Sequence, residues 1–337
     1  MIDWSTVKLA LVTAALAALV HATAEATVRV VATTEHEAAI ARAVGGDRIS
    51  VAYLARGTQD PHTILPKRSF SVALNRADLL IVNGLGLESA WLPTALADCT
   101  NARIREGKPG YLDASTGAAL IPYDAADVKA PLILKGLVAL QSLVVSKPPD
   151  LSAGPNHHYW LDPENGNSIA KAILDKLVIL DPSNATLFKE NYEAFAAKLK
   201  DKLAGWDAVM KPFEGMAVVS YHRSWTYLAH RHGLKIVGYI EPNEPLMLSS
   251  TNQDNPPDRD EKAALVARMA QSRAKLVLAE RYQDQALIKD VAGAAGASVL
   301  LLPSSVSQAD GIDDYFALFD RIYGSLTQAL NAIKELP

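Results

Sequence analysis

The sequence predicts an α/β protein of two lobes, each built on a mostly parallel sheet, joined by one long helix. Three observations carry this reading. Short β-branched runs alternate with helical patterns, as in β-α-β units. The alternation occurs twice, on either side of an uninterrupted helical pattern over Ser183–Trp206. The chain has 337 residues, enough for two domains at roughly 150 residues each.

Val28–Ala32 (VRVVA) opens the first lobe as a strand. Glu37–Val44 follows as a helix, stopped by Gly45-Gly46. Val51–Ala55 and Leu79–Val82 are further strands, with helices near Phe70–Asn75, at Glu88–Ala97 and at Pro163–Leu180. In the last, Ile169, Ile173, Leu174 and Leu177 share one face. Ser183, after Pro182, is the expected N-cap of the long helix, and Leu187, Tyr192, Phe195, Leu199 and Leu203 are its apolar stripe. At 1.5 Å per residue that helix is roughly 35 Å long, enough to cross between lobes. Beyond Pro212, strands at Met216–Val219, Ile236–Ile240, Leu276–Ala279 and Val299–Leu302 alternate with helices. Those helices lie near Trp225–His232, Glu261–Ser272, Gln285–Ala294 and Tyr315–Ala332. Ile121–Asn156 and Asn243–Arg259 read as loops. The expected divisions are an N-terminal lobe at 25–182, a linking helix at 183–211 and a C-terminal lobe at 212–337.

Residues 1–24 stand apart. Lys8, the apolar run Leu9–Val20 and Ala22-Thr23-Ala24 have the pattern of a cleavable signal peptide. The run is short for a bilayer span, so the mature chain is expected to be exported and soluble. The 33 Lys and Arg against 37 Asp and Glu give a net charge of −4, which argues against nucleic-acid binding. With 49 % hydrophobic and 21 % charged residues, disordered and low-complexity classes are excluded. Cys99 is the sole cysteine and reads as a small buried apolar residue. Internal disulfides, Cys-rich zinc sites and iron–sulfur sites are therefore excluded, and any metal site must use His and carboxylate. Gly84-Leu85-Gly86-Leu87-Glu88-Ser89 lacks the third glycine of a dinucleotide fingerprint and reads as a strand-to-helix turn. There is no G-x-S-x-G, Walker A or H-E-x-x-H sequence.

Ligands of open α/β sheets bind beyond the carboxyl ends of strands. His62 lies in the loop after Val51–Ala55, His222 follows Met216–Ser220, and Glu280 follows Leu276–Ala279. His158, just before a helix, is placed to face the same cleft. Imidazole and carboxylate together suit a borderline divalent metal such as zinc. His157 adjoins His158, and backbone direction is expected to bring only one of the two into a small site. His230 and His232 read as solvated helix surface, and His36 as a rim position.

Asp60-Pro61-His62, His158-Tyr159-Trp160-Leu161-Asp162-Pro163 and Ser220-Tyr221-His222-Arg223-Ser224-Trp225 occur in this order, the last two separated by the long helix. With Ala77–Gly86, Glu241-Pro242 and Leu278-Ala279-Glu280, they make the chain resemble the periplasmic zinc/manganese-binding proteins of ABC importers (the cluster A-I, ZnuA/TroA-like family). The resemblance covers nearly the whole mature chain. It implies two α/β lobes joined by a rigid helix, a monomer, a periplasmic location, and a metal between the lobes. It assigns His62 and His158 to the metal from the N-terminal lobe and His222 from the C-terminal lobe. Three histidines favour Zn2+ over Mn2+. The Asp that the family carries after the last strand is replaced here, at Ser304. Glu280 is the expected fourth ligand, with Glu241, water or a loop residue as alternatives. The His-rich loop of many zinc-binding relatives is also absent, since Ile121–Asn156 holds no His before the metal motif. Asp60 and Asp162 are expected to orient the rings.

The implied activity is capture and not catalysis, with delivery of the metal to an ABC transporter membrane permease and with a periplasmic metallochaperone as a further partner. The alternatives are a zinc hydrolase using three His and bound water, a metal-binding adhesin, and a manganese or iron carrier.

Overall fold

The computed structural model describes residues 28–123, 154–241 and 257–335. The expected signal peptide and most of the two expected loops lie outside those residues.

The N-terminal lobe contains β1 (Val28–Ala32), α1 (Glu35–Gly45), β2 (Ile49–Tyr53), α2 (Arg68–Arg76), β3 (Leu79–Val82), α3 (Leu92–Ala97) and β4 (Tyr111–Asp113). Its sheet is parallel throughout, in the order β2-β1-β3-β4. Two helices follow, α4 (Asn165–Leu180) and α5 (Ala185–Met210). The C-terminal lobe contains β5 (Ala217–Ser220), α6 (Thr226–Arg231), β6 (Lys235–Tyr239), α7 (Arg259–Ser272), β7 (Leu276–Ala279), α8 (Gln285–Ala295), β8 (Ser298–Leu301) and α9 (Tyr315–Lys334). Its sheet, β6-β5-β7-β8, is also parallel. Both lobes thus share one topology, in which the strand order reverses beside the first strand. Among the described residues no helix is long and apolar enough to cross a membrane.

The third strand of each lobe is buried at every position, as expected for parallel strands covered on both faces. The long helix differs in detail from expectation. It begins at Ala185, after a 3-10 turn at Pro182–Asn184. Ser183 is not its cap, because its hydroxyl donates to Asp181 Oδ1 at 2.6 Å. Phe188, not Leu187, joins Phe195, Leu199, Trp206 and Met210 on the buried face. Strand β4 was not expected, and α3 starts four residues later than Glu88.

One hydrophobic core serves both lobes. It runs from Val30 and Ile81 through Trp160, Phe188 and Phe195 to Tyr315, Phe319 and Leu278. The outer faces carry separate clusters, one around Phe70, Leu74, Trp91 and Cys99, the other around Leu265, Val277 and Ile288.

Polar contacts reinforce the junction. Trp160 Nε1 donates to the Ser304 carbonyl at 2.7 Å, and Tyr315 OH to the Trp160 carbonyl at 2.9 Å. Glu35 accepts from Gly57 N–H at 2.8 Å and from Gln308 N–H at 3.2 Å. A Cβ at Gly57 would lie 1.8 Å from the Val306 carbonyl oxygen, so only glycine permits this approach. Arg231 of α6 pairs with Asp162 at 3.1 Å, Glu164 at 2.9 Å and Asp207 of α5 at 2.8 Å.

Phe188→Ala should cost about 3–5 kcal/mol, the range for emptying a buried aromatic site. Leu187→Ala, at a partly exposed position, should cost well under half as much. Urea unfolding of the two variants checks this ranking.

Candidate metal centre

Four imidazoles meet between the lobes. His62, His157, His158 and His222 each offer a ring nitrogen, and these atoms all lie within 4.8 Å of one another. His62 comes from the loop after β2. His157 and His158 lead into a 3-10 turn, Tyr159–Leu161. His222 directly follows β5, beyond the carboxyl edge of its sheet.

Each ring is held by an oxygen on its Nδ1 side. His62 Nδ1 lies 2.6 Å from Asp60 Oδ1, which also accepts the His62 backbone N–H at 3.0 Å. His158 Nδ1 lies 2.9 Å from Asn156 Oδ1, which likewise accepts the His158 backbone N–H at 2.9 Å. The same device, an Asx turn whose oxygen also takes the ring, therefore occurs twice. His222 Nδ1 lies 2.7 Å from Glu241 Oε2, just beyond β6. A carboxylate or amide oxygen only accepts, so these three Nδ1 atoms carry hydrogen and the Nε2 lone pairs remain for a metal. His157 differs. Its Nε2 lies 2.8 Å from His62 Nε2 and its Nδ1 3.3 Å from Tyr123 OH. Because His62 Nε2 accepts, His157 Nε2 donates in this arrangement.

Electrostatics suit cation capture. Burial holds the His158 pKa well below the usual imidazole range, helped by the neighbouring imidazoles, so the ring is neutral and can ligate. Burial alone would raise the Asp60 carboxyl, but the His62 ring and its hydrogen bonds outweigh this and hold its pKa at about 2. Nitrogens around a tetrahedral zinc at 2.0–2.1 Å sit roughly 3.3 Å apart. The four ring nitrogens lie within 4.8 Å of one another, a spread close to that spacing.

The structure thus gathers His62, His158 and His222. Glu280 is buried at the end of β7, 1 % exposed, and its Oε2 has no hydrogen-bond partner. Burial raises its pKa, against Ser224 and the nearby His222. Its oxygens are not in the four-atom cluster; His157 is. The expectation that only one of the adjacent histidines faces the site is therefore corrected. The chain turns at His158 (φ −84°, ψ 28°), so the neighbouring rings do not point to opposite sides as they would in a strand. Ser304 directs its carbonyl to Trp160, and its hydroxyl lies 3.4 Å from Tyr282 OH.

Asp162 bonds Arg231 and the Glu164 N–H and orients no ring among the described contacts. Glu241, expected as an alternative ligand, instead holds His222 from behind. Asn156 and Tyr123 were not foreseen, although Asn156 repeats the Asp60-x-His62 spacing. His36 is no rim residue; it is 1 % exposed and stacks on Trp160 at 4.5 Å. His230 is exposed as expected. His232 is not, because it turns inward at the end of α6 to Tyr323 OH, 2.8 Å away.

Burial pushes His36 down to about 3 and His232 down to about 4. Unfolded imidazole titrates near ~6.5, so below that pH the unfolded chain binds more protons. The contribution of these two groups to stability is full above pH ~6.5 and is lost as pH falls toward the folded values. Thermal melts from pH 7 to 4 should show this slope, and His232→Gln, which keeps a partner for Tyr323, should make it shallower. An unchanged slope would contradict the assignment.

A family model described as zinc-uptake complex component A, periplasmic, matches residues 30–329. The metal ABC transporter substrate-binding lipoprotein SloC of Streptococcus mutans is 24 % identical over 318 residues, covering 91 % of this chain and 92 % of its own. The high-affinity zinc uptake system protein ZnuA of Brucella suis is 28 % identical over 182 residues, covering 52 % of this chain and 50 % of its own. Other relatives carry names that specify manganese or iron. A solved structure described as a crystal structure of ZnuA superposes with a TM-score of 0.67 at 20 % identity, over 90 % of this chain and 99 % of that one. That likeness bears on the fold.

Proposed function

The chain belongs to the periplasmic zinc-uptake component A family, and from that premise we propose that it captures Zn2+ between its lobes and hands it to the permease of an ABC importer. Members of the family are solute-binding proteins and not enzymes, which sets the hydrolase alternative aside. Substrate-binding proteins of such importers bind metal cargo and deliver it to a permease. Relatives are named for zinc, manganese or iron, so the cargo is argued from this chain's own donors.

The observation that carries the zinc reading is the convergence of four imidazoles. An all-nitrogen set suits zinc, whereas manganese favours carboxylate and water oxygen, and zinc also stands above manganese in the general affinity order. His62, His158 and His222 are the three principal ligands in this reading. His157 takes the fourth place that Glu280 was expected to hold, because its nitrogen lies within the cluster; on binding, its proton moves to Nδ1, 3.3 Å from Tyr123 OH. Glu280 then offsets the charge from behind. A second reading keeps Glu280 as the ligand, favoured by its buried, unpartnered Oε2. In either case Asp60 and Glu241 hold the rings and add negative charge beside the cation. In this reading the protein acts as a monomer outside the cytoplasmic membrane, after removal of its signal peptide.

Competition of Zn2+ and Mn2+ against a chelator of known affinity tests this on the metal-stripped chain. One tight zinc per chain is expected, with manganese much weaker. His222→Ala should abolish tight binding, and His157→Ala should weaken it more than Glu280→Ala does. The reverse order would transfer the fourth place to Glu280, and no tight site for zinc would overturn the reading. Affinity should also fall on acidification, because protonated imidazole does not ligate, and the burial of His158 places its loss below the usual imidazole range.

A further inference from the structure

Asn156 commits its side chain and carbonyl in two directions. On one side its Oδ1 accepts the backbone N–H and the ring Nδ1–H of His158, both at 2.9 Å. On the other its Nδ2 donates to the Arg223 carbonyl at 3.0 Å, and its own carbonyl accepts from Tyr227 OH at 2.6 Å. Arg223 is the residue after His222, and Tyr227 lies in the first turn of α6. The residue is 1 % exposed, so no water competes for these bonds.

The twin motif explains why this residue is Asn. At Asp60 the second oxygen accepts from Thr63 Oγ1 at 3.2 Å, on a side chain 28 % exposed, and a carboxylate serves. At position 156 the corresponding atom faces a carbonyl oxygen, to which only an amide NH2 can donate. The choice between Asp and Asn in two otherwise matching turns follows from the contact with the other lobe.

We propose that Asn156 is a positioning residue that couples the two halves of the metal centre, holding the His158 ring from one lobe while tethering it to the turn that carries His222 from the other. The proposal rests on the zinc-capture reading. A ligand from each lobe is thereby set at a fixed spacing before the metal arrives.

Asn156→Asp keeps the oxygen for His158 but sets a carboxylate oxygen against the Arg223 carbonyl. Asn156→Ala removes both contacts. In the full chain, Asn156→Asp should weaken Zn2+ about 10-fold to 100-fold, the usual range for lost ligand support, and Asn156→Ala should weaken it further. Co2+ bound in place of zinc should keep the wild-type visible spectrum in Asn156→Asp and change it in Asn156→Ala. A purely structural role would lower the melting temperature and leave both the zinc affinity and the cobalt spectrum of the folded protein as in wild type, which would overturn the proposal. Should Asn156→Ala fail to fold, the near-isosteric Asn156→Asp decides alone, and wild-type zinc affinity in it overturns the proposal. His222→Ala is run alongside. If the wild-type chain binds no zinc, or binds it regardless of His222, the capture reading itself fails; if His222 is essential and Asn156 is not, only the coupling fails.

Discussion

The candidate metal centre depends on hydrogen bonds made on the far side of each ring. A neutral imidazole has one donor and one acceptor nitrogen, and whichever oxygen takes the donor decides which face is left for a cation. Asp60, Asn156 and Glu241 make that decision for His62, His158 and His222. These oxygens come from the loop after β2, the segment before the 3-10 turn, and the end of β6. Two of the three are local, two residues from the ring they hold. The third requires β5 and β6 to lie side by side. Sheet register therefore reaches the metal centre through a single carboxylate.

The lobes repeat one topology but contribute unequally. In the C-terminal lobe the ends of β5 and β7 carry His222 and Glu280, at the point where strand order reverses. In the N-terminal lobe the ends of β1 and β3 carry Thr33 and Asn83, which bond Glu88 and the His157 carbonyl and bear no imidazole. Its donors lie instead on the loop after β2 and on the segment entering the 3-10 turn. Trp160, bonded to the Ser304 carbonyl and stacked on His36, lies between these arrangements.

Sequence reasoning reached the central strands best. Leu79–Val82 and Leu276–Ala279 were delimited correctly because both are buried on two faces and read as unbroken apolar runs. Strand β2 was displaced by two residues, and β4, three residues long, left no pattern to read. The long helix was legible as a helix, but its buried face was set by its packing against α1, α4 and α9, which one-dimensional periodicity does not contain. His62, His158 and His222 were legible from strand ends and motifs. His157 was not, because a turn at His158 overrode the alternation assumed for neighbours. The burial of His36 and His232 depends on Trp160 and Tyr323, which are far away in sequence.

The continuous core has a kinetic consequence for unloading. A cargo held between independently folded halves can be freed by swinging them apart. Here that motion would expose Trp160, Phe188 and Tyr315 together, all essentially buried. For the proposed capture role, release to a permease would then depend on exchange of donors more than on separation of the lobes. In that proposed role the ring most open to exchange would be that of His62, whose side chain is 16 % exposed.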